Sequence, residues 1–205
     1  MKRERKPVEL VPRTGSVLTA LPAPRAPDSP IDLGRLRVWV TGEVGTATTR
    51  RVYQVRGADG AEYAYKEATD HELLAKEEHR TSRLAGRVPV ARVLQSGPGW
   101  LLREWIQGPT GAAWLEQHLR SVVKQGHDDH EAPGLNLLRL FHDLARRQLL
   151  VSRLDPENVV WDDAAAAWVI VDCGKVKEGS AQEALTKYAK KLSSRWGLSL
   201  ALTFP

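Results

Sequence analysis

The apolar pattern of this chain changes period once, at Gly108-Pro109, and that single change limits the architectures open to it. Before it, short stretches alternate apolar and polar side chains with the two-residue period of a half-buried strand. Leu36, Val38 and Val40 form one stretch, Val52, Tyr53 and Val55 resume a strand after a glycine-containing turn, and Glu62 to Glu67 make a third that ends near Lys66. Ala58-Asp59-Gly60 joins the last two, because Asp-Gly supplies the positive φ angles of a tight hairpin. Asp70 then caps a helix in which Leu73, Leu74, Glu77, Thr81 and Leu84 share one side, and Gly86 is suited to end it. Ala91 to Gln95 and Trp100 to Trp105 are two further strands around the turn Gly97-Pro98-Gly99. The order up to residue 107 is β-β-β-α-β-β.

After Gly108-Pro109 the period is helical. Ala112 to Lys124 is one amphipathic stretch, and Asn136 to Leu150, with Leu137, Phe141 and Leu144 on one face, is a second. A short hairpin pairs Val159 to Trp161 with Trp168 to Val171. A last helix opens at the capping box of Ser180 and Glu183 and turns Leu185, Tyr188 and Leu192 inward. Met1 to Pro30 shows neither period and holds six of the twelve prolines, so it reads as a flexible leader. The expected organisation is a leader over 1–30, a β-rich unit with one helix over 31–107, and a reduced helical unit carrying the hairpin over 108–205. The fold class is α+β.

Composition removes several functions. Six basic against three acidic residues in the leader account for +3 of the formal net charge of +5, which leaves the remainder nearly neutral. No Lys/Arg stripe interleaved with aromatics follows, which argues against nucleic acid as a partner. The single cysteine, Cys173, excludes a disulfide framework and a cysteine-based zinc site and points to a reducing compartment. No apolar run approaches the ~18 residues of a membrane-spanning helix, and the first thirty residues lack the apolar core of a signal peptide. The expected location is the cytoplasm, or a target cell reached without a conventional signal peptide.

A few polar residues fall at defined points in this order. Lys66 ends the third strand and Glu77 lies on the inner face of the next helix, an arrangement in which the two pair and hold the lysine against nucleotide phosphates. Arg103-Glu104-Trp105-Ile106-Gln107-Gly108 sits where a strand passes into the helical half, with backbone groups placed to meet an adenine and Trp105 to line its face. Asn158 precedes one strand of the short hairpin and Asp172 follows its partner, so two oxygen ligands stand at one end of that hairpin. That suits Mg²⁺, which takes few protein ligands and keeps water and phosphate oxygens.

These residues carry a resemblance. Glu77 to Gly108 looks like the small lobe and hinge of the protein-kinase-like superfamily, Asp155-Pro156-Glu157-Asn158-Val159-Val160 resembles the end of its catalytic loop, and Asp172-Cys173-Gly174 resembles its Asp-Phe-Gly motif. The likeness covers about residues 33–178 and is nearest to the aminoglycoside phosphotransferase branch and to small atypical bacterial kinases, including effector and toxin forms. It implies a two-lobed fold with a minimal C-lobe and ATP with Mg²⁺ between the lobes. Lys66 would be the phosphate-binding lysine, Glu77 its partner, Asn158 and Asp172 the metal ligands, and Glu104 and Ile106 part of the ATP site.

Three departures shape the expected function. Counting back from Asn158, Arg153 stands where the family has its catalytic aspartate and Val151 where it has histidine; Asp155, two positions later, is the substitute base or else a capping residue before Pro156. The stretch Thr41 to Thr49 keeps only Gly42 and Gly45, which cover phosphates or form a plain turn. Only 31 residues follow Gly174, too few for the usual peptide-docking platform. The expected activity is phosphoryl transfer from ATP to a protein acceptor, less readily a small molecule. The alternative is a pseudokinase, which Arg153 favours because a cation there holds phosphate or carboxylate instead of taking a proton. The cluster His127-Asp128-Asp129-His130-Glu131 reads as a solvated loop, most of the seven tryptophans as core, Trp196 as core or a partner face, and Cys173 as filler of a small apolar site.

Overall fold

The computed structural model describes residues 23–47, 49–117 and 131–197. Residues 1–22 of the leader, residues 118–124 of the expected helix and the polar stretch His127 to His130 lie outside the described residues.

Six strands form one antiparallel sheet: β1 (Pro30–Asp32), β2 (Arg37–Ala47), β3 (Arg50–Gly57), β4 (Glu62–Ala68), β5 (Val93–Gly97) and β6 (Trp100–Glu104), in the order β1-β2-β3-β4-β6-β5. Helix α1 (His71–Leu84) links β4 to β5, and the Asp70 carboxylate accepts from the Glu72 and Leu73 amides to cap it. Then come the helical residues 111–117 (α2), α3 (Glu131–Arg146), β7 (Leu149–Val151), a 3-10 turn at Pro156–Asn158, β8 (Val159–Asp162), β9 (Ala167–Ile170), β10 (Val176–Glu178) and α4 (Ala181–Trp196).

The strand-then-helix order stands, with local differences. Gly42 and Gly45 lie inside β2, not in a turn: two bulges, between Val40 and Gly42 and between Glu43 and Gly45, let the strand stay paired with β3 as far as Ala47. Residues at the end of the expected leader are held on the sheet, since the Asp28 amide donates to the Val40 carbonyl at 2.8 Å and Arg25 Nε donates to Glu67 Oε2 at 3.1 Å. The helix over Leu137, Phe141 and Leu144 stops at Arg146 because Gln148 takes a left-handed φ of 58°. Leu149 and Leu150 therefore pass into β7, which pairs with β10; segments of three residues are too short to show a period.

The alternation of β3, β4 and β6 sorts their side chains onto two faces. Tyr53, Val55, Tyr65 and Leu102 join Ile31, Leu33, Val38 and Val40 in one cluster. Val52, Ala64, Lys66 and Arg103 face the other way, toward the helical half. There a larger core gathers α1's last turn, α3, α4 and the β8–β9 hairpin. Trp168 and Trp196 pack edge to face at 6.0 Å, and Trp196 is 2% exposed with its indole N–H donating to the Leu154 carbonyl, so it belongs to the core and not to a partner face.

Two backbone crossings seam the sheet side to that hairpin. The Ala91 amide donates to Ile170 and the Ile170 amide to Pro89, while the Trp161 amide donates to Pro109. Gly108, at φ 154°, passes so close to β8 that a Cβ there would run into the Trp161 carbonyl. Gly108→Ala is expected to cost about 2 kcal/mol or more through this collision and the strained φ, read as a lower denaturant midpoint with unchanged slope; a neutral substitution would show that the crossing yields.

Candidate functional site

The cavity that opens between the sheet and the β8–β9 hairpin has a volume of about 370 Å³. Its walls are apolar where Val52, Ala64, Ile106, Val160 and Val171 meet, and charged where Lys66, Arg50 and Asp172 meet. Such a volume with a few converging polar groups is typical of small-molecule sites.

At its charged end Lys66 Nζ donates to both Glu77 oxygens, at 2.6 and 2.7 Å. The pair is the one expected from the order of motifs and the resemblance, and both side chains are about 5% exposed. Arg103, from β6, donates to Glu77 as well. No role was read for Arg103 in the sequence; the available signal was a cation beside Leu101-Leu102 in a strand, which must find a buried partner. Burial and the nearby Arg103 guanidinium push the Lys66 ammonium below its ordinary pKa, against the pull of Glu77 and Asp172.

Asp172 meets three cations: Arg50 at 3.3 Å, Arg153 at 3.5 Å and Lys66 at 3.7 Å. Burial raises its pKa, but Lys66, Arg50, Arg103 and Arg153 together outweigh that and hold the carboxyl below its usual range. The nearest contact of each of the three cations is to Oδ2. The Asn158 carbonyl accepts from the Val171 amide at 2.9 Å, which brings Asn158 beside Asp172 at the hairpin's end, and both line the cavity. Asp172 and Asn158 are the oxygen-bearing side chains at this end that could hold Mg²⁺, with Lys66 and Arg50 as the cations beside them. The apolar walls fit a nucleobase. Arg50 escaped the sequence reading because its approach to Asp172 depends on tertiary folding that brings the start of β3 against a residue far along the chain.

The remaining candidates divide. Gly45, with Thr46, reaches the cavity, whereas Gly42 does not line it. Glu104 and Ile106 line it, but the Glu104 carboxylate is taken by Arg92 Nε at 2.6 Å and the Arg92 amide at 3.0 Å. Arg153 is 47% exposed and touches the site only through Asp172. Asp155 is not among the residues that line the cavity; its Oδ1 accepts from Lys191 of α4 at 3.0 Å, with Arg195 at 3.8 Å. It starts the 3-10 turn without a side-chain cap. This geometry ties the loop to α4 and does not support Asp155 as a base. Cys173 fills a buried position as expected, its Sγ 3.7 Å from Thr81 Oγ1.

No family model matches the chain, and no curated protein does. Among solved structures it is similar to the crystal structure of the BubR1 kinase domain, with 16% identity and a TM-score of 0.56, over 78% of this chain and 53% of that one. The chain spans about half the length of that domain and shares a kinase-like fold; the aminoglycoside phosphotransferase branch expected from the sequence gains no support. Among the described residues no helix is long and apolar enough to cross a membrane.

Glu77→Ala would leave Lys66 and Arg103 buried without their carboxylate, and is expected to cost about 3–5 kcal/mol in chemical denaturation. A cost below 1 kcal/mol would mean that the cations find other partners. For Asp172 the lowered pKa makes its ion pairs stabilising at neutral pH, with that contribution lost as pH falls below about 4. The Tm difference between wild type and Asp172→Asn should therefore narrow on acidification, and a gap that is constant from neutral to acid pH would contradict the arrangement.

Proposed function

We propose that the cavity binds ATP with Mg²⁺ and that the chain transfers the γ-phosphoryl group to an acceptor, a protein in preference to a small molecule. The observation that carries this reading is the buried Lys66–Glu77 pair beside Asp172 at the mouth of an apolar pocket. A nucleobase would lie among Val52, Ala64 and Ile106, with the backbone at Glu104 to Ile106 beside its edge. Lys66, held rigid by Glu77, faces the phosphates, and Arg50 adds a second cation. Mg²⁺ bound at Asp172 and Asn158 would neutralise charge on the phosphate oxygens.

In the transfer, the acceptor hydroxyl oxygen bonds to the γ-phosphorus, the bridging oxygen bond to the β-phosphate breaks, and ADP leaves. The hydroxyl proton passes to water, because a loose, largely dissociative transition state asks little of a base. Positioning and charge stabilisation then carry the rate, so the displacement of Asp155 from the cavity does not remove the activity.

The second reading is a pseudokinase that binds nucleotide without turnover. It is favoured by Arg153 at the position of the usual aspartate and by the Lys191 ion pair of Asp155. Incubation with γ-labelled and, separately, α-labelled ATP plus Mg²⁺ and a lysate separates the two. Expected is label from γ-ATP alone, lowered roughly 10²-fold or more in Asp172→Ala and kept within a few fold in Asp155→Asn. Mg²⁺-dependent thermal stabilisation by ATP without label would select the pseudokinase; neither label nor stabilisation would overturn both.

A further inference from the structure

A second cavity, of about 230 Å³, adjoins the first, and Arg50 and Asp172 line both. Leu73 and Arg80 of α1 form one wall; Ser152, Arg153 and Lys175 form the other. The turn beneath is tightly built. The Lys175 amide donates to Ser152 Oγ at 2.6 Å, and a Cβ on Gly174 would strike that same oxygen.

Its charge is not balanced by the protein. Four cations line it, Arg50, Arg80, Arg153 and Lys175, against two carboxylates, Glu77 and Asp172. Glu77 is already matched by Lys66 and Arg103, and Asp172 by Arg50, Lys66 and Arg153. The side chains of Arg80 and Lys175 form no ion pair among the described residues. A concave site with surplus guanidinium and ammonium groups is suited to an anion, and guanidinium groups favour carboxylate and phosphate in particular. The volume falls below the range usual for whole small-molecule ligands, roughly 300–1,000 Å³. It suits the head of one side chain better than a nucleotide.

We propose that this cavity is the acceptor subsite, and that it receives an anionic side chain of a peptide whose hydroxyl is presented to the first cavity. The proposal rests on the phosphoryl-transfer reading above, because the shared residues Arg50 and Asp172 put an acceptor seated here next to the transferring group. The anion is the carboxylate of Asp or Glu, or the phosphate of an already phosphorylated residue; the chemistry is the same and the probes separate them. Arg80 and Lys175 are specificity residues in this scheme and take no part in nucleotide binding.

The test uses the full chain and fluorescein-labelled peptides with one serine flanked by glutamate, phosphoserine, glutamine or lysine, followed by fluorescence anisotropy. Expected is binding of the glutamate or phosphoserine peptide at least tenfold tighter than the glutamine peptide, lost by at least tenfold in Arg80→Gln/Lys175→Gln. A charge-reversed Arg80→Glu/Lys175→Glu chain should turn the preference toward the lysine peptide, a response that mere loss of structure does not produce. Equal affinity for all four peptides, or an acidic preference untouched by either double variant, overturns the proposal. A fluorescent ADP titration on the same proteins reads the underlying nucleotide function separately: it should be equal in wild type and variants, and its absence in wild type would strike that function, not the peptide preference.

Discussion

The fold turns on one buried carboxylate. Glu77 is 4% exposed and receives Lys66 from β4 and Arg103 from β6, so one helical residue is bonded to two neighbouring strands. Three charges withdrawn from water carry a desolvation penalty that their attraction offsets only when the geometry is good, and apolar residues of similar volume would often serve stability as well. What the ionic arrangement supplies instead is position. An apolar contact would let α1 slide along the sheet, whereas a carboxylate shared between two cations has one register.

From that point the rest of α1 follows. Its buried stripe runs Leu74, Glu77, Thr81, Leu84, and each member meets different surroundings. Leu74 joins Ala68 and Leu101 at the sheet, Thr81 meets Cys173 just after Asp172, and Leu84 enters the main core with Phe141 and Leu144. One helix face thus sets the distance between the strand lysine and the hairpin aspartate, which is the distance the charged end of the cavity depends on. Asp172, in turn, holds Arg50, Arg153 and Lys66 together; without it those like charges would repel.

Much of this was legible in the sequence, because it rests on period and local chemistry. Strand alternation and a 3-4-3 helical spacing place Lys66 and Glu77 face to face, Asp70 and Ser180 announce their caps, and Asn158 and Asp172 flank a hairpin that pairs as read. What was not legible depends on long-range geometry. Asp155 looks available for chemistry until α4 folds back and brings Lys191, 36 positions away, against it. The glycines at 42 and 45 look like a turn, since a bulged strand and a turn use the same residue there. Arg103 reads as an ordinary charge at a strand end, and only the packed helix shows that it is buried against Glu77. The end of the leader reads as unstructured because the ion pair that holds it, Arg25 to Glu67, joins residues with no local pattern in common.

The seams at Pro89–Ala91 and Pro109 bear on how a ligand enters. Three main-chain hydrogen bonds cross from the sheet side to the β8–β9 hairpin, at both of its strands, and Gly108 is wedged against the Trp161 carbonyl between them. Swinging the two sides apart like a clamshell would break all three at once. The hairpin of β2 and β3 is tied at its end by the Arg50–Asp172 ion pair at 3.3 Å, while Val44 and Gly45 stand exposed beside the cavity. Movement of that ribbon's end would therefore cost one ion pair, whereas movement of the β8–β9 hairpin would cost three main-chain hydrogen bonds.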